Sequence, residues 1–222
     1  MRCIVYVDGF NLYYGLFSYN PYAPKWVKDE VSGNRKFRWL DLYSLFADVL
    51  PKTNRIATVK YFTAYVNGER DPLKPIRQQA YINGLLSYRK EVRITLGQFK
   101  SNIVDMPLAR PIGRKKYAQV IKTEEKGSDV NLAVHMVNDG WKDEYDMAVL
   151  CSNDTDLIEA VKIVRHDTGK LVCWVTPNTV FPSKEIKPHV NFHRKIMNKH
   201  LKRNQLPEVI PGTNITKPAN WN

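Results

Sequence analysis

The chain has 222 residues, of which 43% are hydrophobic, and 34 Lys and Arg against 22 Asp and Glu give it a formal charge of +12. This length favours one globular domain with a short extension over two full domains. The apolar content excludes a disordered chain, and no stretch approaches the roughly 18 uncharged apolar residues that a membrane span requires. The excess of cations is typical of proteins that bind a phosphate backbone, although a solvated basic surface is the more common origin of basic runs.

The first third of the sequence predicts two strands and two helices around an irregular segment. Residues 3–7 form an unbroken apolar run, typical of a central strand in a parallel sheet, and residues 10–17 suit a short helix. Residues 20–38 contain prolines, aromatics and mixed charges without a period, which predicts an ordered insertion near the entrance to a site. A helix over 40–50 ends at a proline, and a second strand follows over 55–66.

The middle of the chain contains the clearest predicted helix. A helix over 72–88 begins at a proline, and strands are predicted over 92–99 and 115–123. Residues 128–141 then carry apolar side chains at offsets of three, four, seven and eleven, the spacing of an amphipathic helix. These apolar residues are Val130, Ala133, Val134, Val137 and Trp141.

The last third continues the alternation and then becomes basic. A strand over 147–151, a helix over 157–164 and a strand over 171–175 predict, with the preceding elements, an α/β fold whose mainly parallel sheet has helices on both faces. Beyond residue 182 there are eight Lys and Arg against two acids. We expect 183–222 to be a basic C-terminal extension, with a helix over about 194–203 and a partly disordered tail from Pro207.

Acidic residues follow the predicted strands at the points where those strands end. Asp8 ends the first strand, Asp154 and Asp156 follow the strand over 147–151, and Asp129 opens the helix over 128–141. Ligands of open parallel sheets bind beyond the carboxyl ends of the strands. Carboxylates that converge there repel one another unless a cation lies between them, so the pattern predicts a hard divalent ion such as Mg²⁺ or Mn²⁺.

Each aspartate also has a purely structural interpretation. Asp8, Asp154 or Asp156 could simply cap the helix that follows it, because Asp is a preferred N-cap residue. Asp129 could serve only the helix dipole. Taken together, at one sheet edge, the aspartates favour a metal site over separate helix caps.

Three motifs resemble the NYN domain family, which belongs to the PIN-like nuclease superfamily. They are VDGFNLYYG, EEKGSDVNLAVHMVNDGW and DMAVLCSNDTDLIEAVKIVRHDTGKLVCWVTP, and the resemblance spans about residues 1–182. It implies a three-layer α/β/α sandwich, an active site with one or two Mg²⁺ or Mn²⁺ ions and cleavage of single-stranded or structured RNA. It divides the chain into a nuclease domain over 1–182 and the extension over 183–222.

The resemblance also implies roles for individual residues. Asp8, Asp129, Asp154 and Asp156 would be metal ligands and catalytic acids, with Asn11 as a polar companion of Asp8. Ser152 and Asn153 match positions that shape the turn after the strand over 147–151, in support of the ligands. His135 stands where many relatives have an aspartate, and we assign it a structural or supporting role.

Two basic clusters and one aromatic group are candidates for contact with RNA. The aromatic residues Tyr13, Tyr14, Phe17 and Tyr19 are expected mostly to pack, with one or two rings free to stack on unpaired bases. The cations expected to bind the phosphate backbone are Arg110, Arg114, Lys115, Lys116, Lys122, Arg194, Lys195, Lys199, Lys202 and Arg203.

The sequence therefore predicts a metal-dependent ribonuclease, with endonucleolytic action favoured. A non-catalytic RNA-binding or regulatory module stays open, whereas a Rossmann-like enzyme lacks the required glycine-rich loop. Cys3, Cys151 and Cys173 lie in apolar runs without CxxC spacing and are expected to be reduced thiols. With an N-terminal apolar run too short for a signal peptide, they predict a cytoplasmic protein, and self-association stays open.

Overall fold

The computed structural model describes residues 1–18, 20–69 and 71–221, and within these ranges six parallel strands form a central sheet in the order β3-β2-β1-β6-β7-β8. Helices cover both faces of this sheet, so the predicted α/β/α sandwich is confirmed. The elements are β1 (Arg2–Asp8), α1 (Gly9–Phe17), α2 (Lys25–Asn34), α3 (Leu42–Val49), β2 (Arg55–Thr63), α4 (Leu73–Tyr88), β3 (Val92–Leu96), β4 (Gln98–Ile112), β5 (Lys115–Lys126), α5 (Ser128–Trp141), β6 (Met147–Cys151), α6 (Ile158–Lys162), β7 (Leu171–Pro177), β8 (Phe192–Ile196) and α7 (Asn198–Arg203).

The sheet separates two hydrophobic cores. Successive residues of β1 point to opposite faces, so Cys3, Val5 and Val7 enter one core while Ile4 and Tyr6 enter the other. The first core contains α1, α3 and the C-terminal segment, and the second contains α5 and α6. The unbroken apolar run of residues 3–7 is therefore explained by burial on both faces.

The three cysteines are buried and free, as predicted. Burial raises the pKa of the Cys3 and Cys173 thiols to about 11. Within the described residues, no helix is both long enough and apolar enough to span a membrane.

A long two-stranded hairpin stands outside the central sheet, and the sequence did not predict it. β4 and β5 pair only with each other, in antiparallel register, and their turn contains Gly113 at φ 59°. We call this hairpin the β-arm. The predicted strand over 92–99 is in fact two strands, which separate at Gly97. A Cβ on Gly97 would lie 2.8 Å from the backbone carbonyl oxygen of Lys126, which cannot move aside as a side chain can, so the base of the β-arm favours glycine here.

Helix α5 is confirmed, but the side that it buries is not the one its apolar pattern indicates. Val130, Val134 and Trp141 are 66%, 60% and 62% exposed, whereas Leu132 and Met136 are fully buried against the sheet. The pattern was misleading because both sides of this helix carry apolar residues.

The prediction for the chain beyond residue 182 needs two corrections. The expected helix over 194–203 begins only at Asn198, because residues 192–196 pair in parallel with β7 and become the edge strand β8. Tertiary pairing overrides local helix preference here.

The tail from Pro207 is packed rather than disordered. Ile210 is fully buried, Trp221 is 7% exposed, and the indole nitrogen of Trp39 donates to the Pro207 carbonyl at 2.7 Å. The rings of Trp39 and Tyr81 each lie 6.2 Å from the Trp221 ring. The tail has little regular secondary structure, and it is its few apolar side chains that attach it to the first core.

The segment over 20–38 is more regular than predicted. It contains α2 and a short 3-10 turn (Arg35–Phe37), and Trp26 contacts Phe181 with ring centroids 6.2 Å apart. Residues of this segment line a surface depression together with Tyr14 and Val180. These two residues also line the site described below.

Candidate active site

Asp8 connects the central strand to the first helix. It is the last residue of β1 and is 5% exposed. One carboxylate oxygen accepts from the Asn11 backbone N–H at 2.9 Å and so caps α1, while the other accepts from the Ser152 hydroxyl at 2.8 Å. Asp8 is thus a helix cap and, at the same time, the acid at the carboxyl end of β1.

The loop after β6 is held against Asp8 by a chain of hydrogen bonds. The Asn153 backbone N–H donates to the side-chain carbonyl of Asn11 at 3.0 Å, and the Asp154 N–H donates to the Ser152 hydroxyl at 3.1 Å. The ends of β1 and β6 are neighbours in the sheet. Ser152, Asn153 and Asn11 therefore position the two strand ends relative to each other, which agrees with the supporting role expected of the first two.

Carboxylates from separate parts of the chain line one open groove of about 520 Å³, which we call the acid groove. Asp8, Asp129 and Asp154, three of the four aspartates that the sequence analysis grouped, all contribute to it, together with Asn11. The lining is completed by Phe10, Tyr14, Gly15, Phe99, Glu125, Asn153 and Val180.

The pKa values in the groove reflect this convergence. The pKa of Asp129 is raised to about 6, first by burial and then by the charges of Asp8, Asp154, Glu125 and Asp156. The pKa of Asp8 is raised mainly by burial, although hydrogen bonds from Asn11 and Ser152 oppose the shift. Both carboxyl groups thus lie where negative charge is costly without a cation.

Glu125 is an acid of the groove that the sequence analysis did not single out. It is near the end of β5, and its carboxylate accepts from the Ser128 backbone N–H at 3.1 Å and hydroxyl at 2.8 Å. It stands within the EEKGSD motif, so its place beside Asp129 was the available signal.

Two predicted residues lie apart from the groove. Asp156 is exposed and lines a neighbouring depression, which Glu125 and Asp129 share. His135 packs its ring against Phe62, with centroids 5.6 Å apart, on the second-core side of the sheet. A direct role is therefore better supported for Asp154 than for Asp156, and the position of His135 fits a packing role.

The predicted basic residues divide into two separate regions. Arg110, Arg114, Lys115 and Lys116 are exposed at the tip of the β-arm, whose base contributes Phe99 and Glu125 to the groove. Lys122 instead pairs with Glu124 at 2.5 Å. In the C-terminal group, Arg194, Lys195, Lys199, Lys202 and Arg203 are exposed, and Arg203 lines a depression with Asp48 and Lys52 rather than the acid groove.

The aromatic residues of α1 are also divided. Tyr13 packs edge-on against Phe17, with centroids 5.6 Å apart, whereas Tyr14 is 53% exposed and lines the groove. Phe17 is buried. Tyr19, the fourth member of the predicted group, lies outside the described residues.

A second cavity, which we call the aromatic cavity, lies directly beside the acid groove. Phe10 and Tyr14 line both, and their rings are stacked with centroids 6.3 Å apart. Its lining is Gly9, Phe10, Tyr13, Tyr14, Arg38, Tyr61, Thr63, Val66, Lys74, Arg77, Gln78, Tyr81 and Trp221.

The acid groove has the chemistry of a divalent-metal site but not a preformed ion cage. Carboxylate and amide oxygens are the donors that Mg²⁺ and Mn²⁺ prefer. Within the described ranges, no three Asp, Glu, His or Cys side chains lie close enough together to hold one ion. Mg²⁺ commonly binds through one or two carboxylates and several waters, so the groove fits an ion of this kind better than a fully protein-ligated one.

Without metal, the contribution of Asp129 to the free energy of unfolding should become more favourable as pH falls from about 7 to about 4. The pKa of Asp129 is about 6 in the folded protein, above its usual value. The folded state therefore holds the proton more tightly than the unfolded chain, and the destabilising charge disappears as pH falls through 6. Thermal melts in EDTA should show that the wild type gains stability relative to Asp129→Asn as pH falls across this range. Equal pH dependence for the two proteins would contradict the assignment.

The fold and the groove together define the class of this protein: a PIN-like α/β protein with an acidic groove at the carboxyl ends of its parallel strands. The model of the NYN domain matches residues 2–188. The chain belongs to the NYN domain family, as the motifs indicated.

The proteins similar to this chain include the following two. One is named 6-hydroxy-3-succinoylpyridine 3-monooxygenase HspA, from Pseudomonas putida, and is 28% identical over 250 residues, covering 100% of this chain and 75% of that protein. The other is a crystal structure of a protein of unknown function, VPA0982, from Vibrio parahaemolyticus. The match has a TM-score of 0.52 and 14% sequence identity. It covers 89% of this chain and 93% of the Vibrio parahaemolyticus chain. This second similarity concerns the fold alone.

Proposed function

We propose that this protein is a metal-dependent ribonuclease that hydrolyses RNA phosphodiester bonds at the acid groove. The observation that carries the proposal is the convergence of Asp8, Asp129 and Asp154 from three separate chain segments on one groove. Burial and then the charges of the neighbouring acids raise the pKa of Asp129, and a divalent cation would offset both effects. Membership in the NYN family supports the same class of chemistry.

One or two carboxylates from the set Asp8, Asp129, Asp154 and Glu125, with waters, would hold each of one or two Mg²⁺ or Mn²⁺ ions. Such an ion, when bound, lowers the pKa of a water and neutralises charge on a phosphate. The chain itself contributes the orientation: Ser152 holds the Asp8 carboxylate, and Asn11 holds the loop that carries Asp154. An open groove of this kind needs no chain end, which favours endonucleolytic cleavage.

The β-arm would bind the phosphate backbone at a distance from the reacting bond. At about 3.3 Å per residue, its tip lies on the order of 35 Å from the groove. Replacing Arg110, Arg114, Lys115 and Lys116 by Gln should weaken RNA binding and lower the slope of log K against log salt by about 2–3 for a single strand.

The C-terminal cations offer a matched control for the β-arm. Replacing four of them by Gln removes the same charge from the C-terminal region. Arg203, one of the four, lines a depression that is separate from the acid groove. The control should change binding and the salt slope much less. Equal effects of the two sets would contradict a specific role of the β-arm. The control set is Arg194, Lys199, Lys202 and Arg203.

A non-catalytic RNA-binding module remains the alternative. EDTA should abolish cleavage by a nuclease but leave binding by a basic adaptor intact, while added salt weakens both. The decisive measurement compares cleavage and binding of a labelled single-stranded RNA in Mn²⁺ and in EDTA. Binding without cleavage in Mg²⁺ and in Mn²⁺ would overturn the ribonuclease proposal. A cytoplasmic location is part of the same proposal.

A second candidate is oxygenation of a small aromatic acid, which the name of the Pseudomonas putida relative suggests. The aromatic cavity beside the groove, with Arg38 and Lys74 in its lining, favours it. Oxygen uptake that depends on a pyridine carboxylic acid and an added nicotinamide reductant would support this candidate. Absence of uptake together with metal-dependent RNA cleavage would exclude it.

A further inference from the structure

We propose that the aromatic cavity is a binding site for a planar aromatic ring that carries an anionic group. This is the chemistry shared by a pyrimidine nucleoside monophosphate and a pyridine carboxylate. The site is distinct from the acid groove, and the proposal does not require the groove to be catalytic.

The walls of the cavity suit a flat ring. Aromatic side chains from four parts of the chain surround it: Phe10, Tyr13, Tyr61, Tyr81 and Trp221. Its volume is about 90 Å³, and since one water needs roughly 10–15 Å³ by this measure, it has room for no more than one ring. Aromatic walls bind any base or heteroaromatic ring by stacking, without a particular hydrogen-bond pattern.

Two cations in the cavity lining lack an anionic partner among the described residues. The Arg38 guanidinium lies over the Tyr13 ring, 5.9 Å from its centroid, and its buried Nε has no hydrogen-bond acceptor in the described chain. Lys74 also forms no ion pair within the described part of the chain. Arg77, in the same lining, is paired with Asp71. A partly buried guanidinium without a counter-ion is suited to bind a carboxylate or phosphate from outside.

The position of the cavity determines how a ligand would lie. Phe10 and Tyr14 separate it from the acid groove and line both. The carboxylates of the acid groove repel an anionic group, whereas Arg38 and Lys74 in the aromatic cavity attract it. The ring would therefore stack between the aromatic walls with its anion toward Arg38. A nucleotide held this way would lie beside the acid groove, and a small aromatic acid would lie within the aromatic cavity.

Calorimetric titration of the full chain in EDTA tests the site separately from any nuclease activity. The probes are cytidine 5′-monophosphate and pyridine-3-carboxylate, with cytidine and pyridine-3-carboxamide as uncharged counterparts. We expect saturable binding of at least one anionic probe and at least tenfold weaker binding of its uncharged counterpart. Preference for the nucleotide identifies an RNA-derived ligand, and preference for the carboxylate identifies a small aromatic acid.

The variants Arg38→Met and Lys74→Met should weaken anion binding, Arg38→Met by tenfold or more. Lys36→Met is the matched control, because Lys36 is exposed in the same short segment and lies over the Phe37 ring outside the cavity. Thermal melts verify that each variant is folded. Failure of both anionic probes to bind the folded wild type, or equal loss in Arg38→Met and Lys36→Met, would overturn the proposal. Neither result would bear on RNA cleavage at the acid groove.

Discussion

Replacing Asp8 by Asn should reduce RNA cleavage by about 10²–10³-fold or more while the protein stays folded. An ion at a phosphate contributes several kcal/mol to the transition state, and each ~1.4 kcal/mol is a tenfold change in rate. Asn can still cap α1 through its side-chain oxygen, and the Ser152 hydroxyl can accept as well as donate. The substitution therefore removes the charge and keeps most of the local structure. Single-turnover cleavage in Mn²⁺ measures the effect.

Asp41 provides a matched control for this substitution. It is also a buried aspartate that caps a helix, accepting from the Ser44 backbone N–H at 3.2 Å at the start of α3, and it pairs with Arg89. Asp41→Asn should lower stability through loss of that ion pair but leave the cleavage rate of the folded protein unchanged. A double variant with Asp8→Asn and Asp154→Asn that cleaves as fast as the wild type would disprove the catalytic assignment.

Removing the chain after Asn204 should prevent stable folding, even though this segment has little regular structure. The deletion takes away the buried Leu206, Ile210 and Trp221 and leaves the Trp39 indole N–H without its acceptor. The single change Trp221→Ala alone should cost about 3–5 kcal/mol, the usual range for a large aromatic in a core. The free energy of unfolding of a typical domain is only about 5–15 kcal/mol in total. Denaturant unfolding followed by circular dichroism measures both losses.

Val209 is the control within the same segment. It is 56% exposed, so Val209→Ala should change the free energy of unfolding by about 0.5 kcal/mol or less. A truncated protein that unfolds at nearly the same denaturant concentration as the full chain would show that the tail is dispensable.

Local sequence determined most of the central sheet and the place of the acids. Residues 3–7 are buried on both faces of the sheet, so every position is apolar. The strand can therefore be recognised from its own sequence, without knowledge of the strands that pair with it. The aspartates at the strand ends were found for the same reason, since a polar residue that ends a buried run must lie at the sheet edge. Asp8, Asp129 and Asp154 share one groove, whereas Asp156, which the sequence analysis grouped with them, lines a neighbouring depression.

Tertiary structure alone decided the elements whose stability comes from distant partners. The β-arm has no buried face, so β4 lacks the alternation that marks a strand. Residues 192–196 are a strand only because β7 offers an edge, and Trp221 holds the tail only because Trp39 and Tyr81 surround it. The apolar spacing of α5 could not show which side meets the sheet, because both sides are apolar. The aromatic cavity likewise depends on contacts between residues far apart in the chain, which no local pattern encodes.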